Sequence, residues 1–193
     1  MYKKSIVALV FVGFLIALSS CAKAPTEEIE AAKAALARAE SNADAREYAP
    51  DSIARAKSLV ERMDAAVEEK EYESAKNLAL EAVSAAEKVI EDGASAKEKA
   101  RNDAAAAISS AKDLLSEVET SLTAAGKVRG IALDVSATEQ ELGSAAQEIT
   151  SAESDFAKEA FTSAQTRAQN ARSSLADIQR RIAGAVQAAT RRK

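Results

Sequence analysis

The sequence predicts an all-α fold: elongated antiparallel helical hairpins, or an alanine-rich coiled-coil bundle, with one long central helix. Three observations carry this. Small apolar residues recur in steps of three and four, the spacing of one face of a helix. Hydrophobic content is 47% yet aromatic content only 4%, much of the remainder being alanine. Few large side chains means thin seams, in which helices approach closely instead of enclosing a bulky core. Finally, one stripe runs from Tyr72 to Ala125, which is 54 residues, or about 80 Å of helix at ~1.5 Å per residue.

Taken in order, Thr26 is placed to cap a first helix whose opening turn holds Glu27 and Glu28, where carboxylates meet the positive end of the helix dipole. Its inward face reads Ile29, Ala32, Leu36, Ala39 and Ala43. Pro50 cannot occupy a helix interior, so this helix is expected to end near Tyr48, with Pro50 opening the next. The second helix shows Ile53, Ala56, Val60, Met63 and Val67. Glu68-Glu69-Lys70-Glu71 then lacks any apolar residue, and Tyr72 restarts the stripe. Joining the two stripes as one helix would rotate the seam, so a tight turn near Lys70 is favoured. Gly93 lowers helix propensity without ending the third helix. Gly126 and Gly130 bracket a loop over 126–136 that packs Val128, Ile131 and Leu133 against the helices. Ser136 and Glu139 form a capping-box pattern for a fourth helix carrying Leu142, Ala145, Ile149, Ala152 and Phe156. A fifth carries Phe161, Ala164, Ala168, Ala171, Leu175, Ile178 and Ile182.

A shift of 89 residues places Ile53 on Leu142, Val60 on Ile149, Tyr72 on Phe161, Ala79 on Ala168 and Val89 on Ile178. Two readings stand: a duplicated hairpin, or the chance agreement of two alanine-rich heptad segments. Chance accounts for the alanines more readily than for the paired aromatics.

The chain has no histidine, and its one cysteine is Cys21. A thiol nucleophile, a histidine base, a Ser-His-Asp triad and Cys or His zinc sites are thereby excluded from the mature chain, and the expectation is a protein that is not an enzyme, with no metal or cofactor. With 26 basic and 30 acidic residues, the net charge is −4. That mild acidity carries no bias towards nucleic acid.

The N-terminus opens with Lys3 and Lys4, continues through thirteen uncharged residues from Ile6 to Leu18, and reaches Leu18-Ser19-Ser20-Cys21. Thirteen residues are too few for a spanning helix, which needs ~20. The alternative is an uncleaved anchor with an incidental cysteine. Leu18, Ser19, Ser20 and Cys21 resemble a bacterial lipobox, which implies a signal peptide over 1–20, cleavage before Cys21 and a lipidated tether over 21–25. In proteins with this signal the cysteine carries a diacylglyceryl group and often an acyl group, palmitate being typical, and two or more chains give stable anchoring. The mature chain would then stand near −6, Lys3 and Lys4 being lost. Ala22 and Lys23 follow the cysteine where an aspartate favours inner-membrane retention in enterobacteria, so the resemblance points to a periplasm-facing anchor in the outer membrane.

Arg46-Glu47-Tyr48-Ala49-Pro50, followed by Ile53, Ala56, Tyr72, Ala75 and Leu78-Ala79, resembles a family of alanine-rich lipoprotein domains, domain of unknown function 4398. Its members read Tyr-Ala-Pro, a helix, a Gly-Asp-Tyr-like turn and a second alanine-rich helix. Lys70 and Glu71 stand here where the family has Gly and Asp. The resemblance implies an envelope lipoprotein and covers about residues 30–92.

Candidate sites are few. The carboxylates Glu68, Glu69, Glu71 and Glu73 read as a solvated turn, because a calcium loop needs oxygen ligands gathered around a glycine-bearing bend. Tyr48, Tyr72, Phe156 and Phe161 sit where they lock hairpin ends or, alternatively, meet a partner. After Asp177 the chain holds no acid, while Arg180, Arg181, Arg191, Arg192 and Lys193 are basic. Arg191, Arg192 and Lys193 suit the negative end of a helix dipole, or an anionic lipid or cell-wall contact. The ending also resembles that of Braun's lipoprotein, which is joined to peptidoglycan through its terminal lysine. Domains are expected at 26–125, a hairpin region with the long helix, and at 137–193, a second hairpin with a basic tail. The expected function is a lipid-anchored envelope spacer, scaffold or adaptor. The alternatives are a helical module capturing a peptide or protein, and a peptidoglycan-linked lipoprotein; homo-oligomers are compatible with the alanine stripes.

Overall fold

The computed structural model describes residues 23–191. Leu18, Ser19, Ser20 and Cys21 lie outside that range, as do Arg192 and Lys193. Among the described residues there are six helices and no strand: α1 (Thr26–Ser41), α2 (Ala43–Tyr48), α3 (Pro50–Glu68), α4 (Tyr72–Gly126), α5 (Val135–Ala157) and α6 (Phe161–Arg191). The chain forms two compact units that divide within α4, between Ala94 and Ser95.

The first unit contains α1, α2, α3 and α4 as far as Ala94. One buried cluster joins Ala32, Val60, Met63, Ala66, Ala75, Leu78, Ala79 and Ala82. A second joins Ala35, Ala39, Ala45, Ala56, Ala86 and Val89. Alanine at most contacts lets the backbones come close, and at Gly93 two backbones meet directly. A Cβ there would lie 2.7 Å from both Cα and N of Ala45. Helix-interior glycine costs about 1 kcal/mol against alanine, and here the missing side chain is what admits the backbone of α2.

In the first unit two helix starts differ from the sequence reading. Thr26 is the first helical residue and not a cap; Pro25 precedes it without any side-chain cap bond. The first helix also stops short of Tyr48. Asn42 is extended, ends α1, and accepts a bond from the Ala45 N–H through its side chain at 2.8 Å, thereby opening the short helix α2. Asparagine competes for backbone donors in this way, which breaks a helix and restarts it. Pro50 is the first residue of α3.

The turn after α3 falls at Lys70, which adopts φ +60. The Glu71 N–H donates to the Ala66 carbonyl at 2.8 Å and the Lys70 N–H to the Val67 carbonyl at 3.1 Å. This pair of bonds is the Schellman arrangement, which favours glycine at the left-handed position. Lys70 is the residue standing in the glycine place of the Gly-Asp-Tyr-like turn.

The second unit contains α4 from Ser95, α5 and α6. Its buried residues include Ile108, Val118, Leu122, Leu142, Ile149, Phe161, Leu175, Ile178 and Ile182. The capping box at Ser136 and Glu139 is not used: Asp134 caps α5 instead, accepting from the Ala137 N–H at 2.9 Å, and its carbonyl accepts from the buried Thr138 hydroxyl at 2.7 Å. Val128, Ile131 and Leu133 are half-buried in the loop. The α5–α6 turn repeats the α3–α4 turn at the offset of 89. Glu159 has φ +62, and the Ala160 N–H donates to Asp155 as the Glu159 N–H does to Phe156, at 3.0 Å each. The repetition reaches interhelical pairs. Ser52 donates to Asp92 across α3 and α4, and Arg181 to Glu141 at the matching positions of α6 and α5. Asp64 and Glu153 occupy matching places and each holds a lysine of the first helix of its unit, Lys33 and Lys112, at 2.9 Å.

Gly93→Ala should lower thermal stability by about 1–2 kcal/mol, because displacing the Ala45 backbone outweighs the propensity gained. Gly143→Ala, whose added methyl meets nothing within 4 Å, should raise it by about 0.5–1 kcal/mol. Thermal melts followed by circular dichroism separate the two. Lys70→Gly and Glu159→Gly should each add about 0.5–1 kcal/mol by relieving a left-handed non-glycine residue, read as a raised urea midpoint.

Candidate functional site

The four aromatics fall into two pairs of roles. Tyr48 ends α2 and Tyr72 opens α4, both half-buried in the first unit. In the second unit Phe156 and Phe161 flank the turn with ring centroids 5.2 Å apart at 61°, an edge-to-face contact. Phe161 is 4% exposed. A ring so enclosed closes the hairpin end and offers little surface to a ligand.

Beside that aromatic pair lies a polar network that sequence spacing does not reveal. The Asp155 carboxylate accepts from the Ser163 hydroxyl at 2.7 Å and from Arg167 Nε at 2.9 Å, while Arg167 Nη1 donates to Glu148 at 3.1 Å. The Ser163 hydroxyl, and after it the Arg167 guanidinium, hold the Asp155 carboxyl below the usual carboxylate range. The network ties α5 to α6 immediately beside the turn, and all its members have structural partners.

The acidic residues Glu68, Glu69, Glu71 and Glu73 are exposed at the α3–α4 turn. Among the described residues no group of three or more His, Cys, Asp or Glu side chains is arranged to hold a metal ion. Arg191, the last residue of α6, is exposed.

The second unit holds a groove of about 890 Å³. One wall is the end of α4 and the loop after it, with Ala124, Ala125 and Val128, and the other is α6 with Ile182, Ala183 and Gly184. The volume falls within the range of ligand clefts. Its rim is polar, with Ser121, Gln179, Arg180 and Gln187. Among the described residues its lining holds no aromatic or acidic side chain, so they offer apolar contact and hydrogen bonding. Sequence reasoning overlooked this groove. The available signal was Gly184, a glycine well inside a helix with open space where its side chain would be.

Asp155 yields a pH dependence. Its folded value is depressed, so its contribution to stability is fully present above the unfolded value of about 4 and is lost as pH falls through the lower folded value. Asp155→Asn should therefore melt earlier than the parent at pH 7, and the gap should narrow progressively in melts taken to pH below the unfolded value of about 4.

No helix among the described residues is long and apolar enough to cross a membrane. Neither a curated protein nor a solved structure matches the chain. Residues 27–107 match a family model described as Domain of unknown function (DUF4398), so the stretch from α1 into α4, with its Tyr48-Ala49-Pro50 and Tyr72 landmarks, is similar to that domain.

Proposed function

We propose that the chain is a non-enzymatic, lipid-anchored protein of the bacterial envelope, serving there as a spacer or scaffold. The observation that carries the reading is the helix α4, Tyr72–Gly126, 55 residues long and contributing to both compact units. One element acts as the last helix of the first unit and the first of the second, so a single helix carries the chain from one unit to the other. The sequence Leu18-Ser19-Ser20-Cys21, which resembles a lipobox, supports the anchoring part of the reading. Anchoring through Cys21 supports a periplasm-facing position at the outer membrane. A second reading, a helical module that captures a peptide or protein, is favoured by the apolar groove of the second unit. Attachment to peptidoglycan through Lys193 is a third.

Cys21→Ser should abolish incorporation of labelled palmitate, leave the precursor uncut and release the chain from floated membranes once the signal is removed by other means. An unlabelled parent chain would sink the anchor. Intact-mass measurement of the native protein reads lipid at Cys21 and any wall fragment at Lys193 together. Turnover of an envelope substrate, lost on changing one carboxylate, would replace the spacer by an enzyme.

A further inference from the structure

Leu80 is 54% exposed and Ile90 38%, the exposed large hydrophobics among the described residues. Both lie on α4. Leu80 sits midway between Glu73 and Glu87, seven residues from each, and all three are exposed. Positions seven apart share a helix face, so this face presents an apolar side chain flanked by carboxylates about 21 Å apart. Ile90 lies at its edge, with Glu91 close by.

The groove of the second unit has the opposite pattern. Arg180, Gly184, Gln187 and Arg191 follow one another on α6 in steps of four, three and four, and all are exposed. The two arginines stand about 16 Å apart along the helix. Between them Gly184 leaves open space, and the neighbouring wall is Ala124, Ala125 and Val128. Arg180 is paired on its own helix with Asp177, an exposed contact that is worth little and easily exchanged.

We propose that this groove is a docking surface for a second copy of the chain, which inserts Leu80 of α4 beside Gly184 and sets Glu73 and Glu87 against Arg180 and Arg191. The argument is complementarity of both kinds. A convex apolar residue between acids meets a concave apolar cleft with Arg180 on its rim and Arg191 farther along the same face of α6, outside the lining, and arginine side chains are long enough to span the difference in spacing. The sign segregation is broad: residues 23–94 carry 17 acidic and 10 basic side chains, whereas residues 158–193 carry 2 acidic and 8 basic. A lipid surface would need the apolar part to protrude, and here it is recessed. The two surfaces differ, so each copy uses one and leaves the other available. Such a head-to-tail contact builds an open-ended assembly unless its rotation closes a ring.

Sedimentation velocity of the purified full chain in a nonionic detergent tests this. Mass should grow with protein concentration and fall back at high salt. Arg180→Glu with Arg191→Glu, and separately Glu73→Lys with Glu87→Lys, should each weaken self-association by at least about tenfold, a difference of ~1.4 kcal/mol. Mixing the two reversed chains should restore it, because each contact between unlike chains is again of opposite sign. Leu80→Ser should weaken association without lowering helicity, which circular dichroism checks for every variant. A chain that stays monomeric at all concentrations would overturn the proposal. So would association indifferent to either reversal, or folded reversed chains that stay apart when mixed. Binding of a monomeric chain to phosphatidylglycerol vesicles, lost on reversing Arg180 and Arg191, would assign the groove to lipid and overturn it equally.

Discussion

Close approach of helix backbones is the constraint on which both units depend. Alanine contributes one methyl to a seam, so each contact gains little from burial, and dispersion between well-matched surfaces has to be collected over many positions. This makes the arrangement sensitive to any added atom. At Gly93 the tolerance is used up completely, since the backbone of α2 occupies the space of a side chain. The same economy explains why the few larger residues sit fully buried along the seams: Met63 and Val89 in the first unit, Val118, Leu175 and Ile178 in the second. They fix register where a run of alanines alone would allow sliding by a turn.

The helices, the long α4 and the turn near Lys70 were legible because each rests on periodicity or its interruption. The break at Asn42 was not, because a polar residue inside an alanine-rich stretch reads equally as a solvated helix position and as a cap. Only the extended backbone and the bond from Ala45 decide between them. The cap at Asp134 escaped for a related reason. Ser136 and Glu139 fit a capping box, but Asp134 two residues earlier takes the Ala137 N–H, and its carbonyl takes the hydroxyl of the buried Thr138. The groove and the Asp155 network were invisible because they depend on which faces of α4, α5 and α6 meet, which spacing along one helix does not state. Gly93 was noticed only for its propensity, its packing partner being forty-eight residues away.

The paired geometry of the two hairpins bears on the choice between duplication and coincidence. Chance agreement of heptads would align alanines, yet it has no reason to align left-handed residues, the bonds that follow them and interhelical polar pairs at one offset. Lys70 matches Glu159, and the Ser52–Asp92 pair occupies the same place as Glu141–Arg181. Where the copies differ, they differ in what they present. Gly93 in the first corresponds to Ile182 in the second, so backbone contact with α2 has been exchanged for an apolar side chain that lines the groove. Two hairpins of matching turn geometry thus present unlike surfaces.

Charge decides what those surfaces can do. Most ion pairs here are exposed and add little to folding, so the sign of each face is free to vary without loss of the fold. An even mixture of signs would cancel beyond a Debye length of about 8–10 Å. Segregation does not cancel: acids predominate before Ala94 and bases after Asp177. Such separation costs self-repulsion within each region. A chain whose only requirement was to stay folded would lower that cost by mixing its charges. The cost is offset if each region meets its opposite, and the exposed leucine on the acidic face and the recess on the basic one lie where such a meeting would bury apolar surface as well.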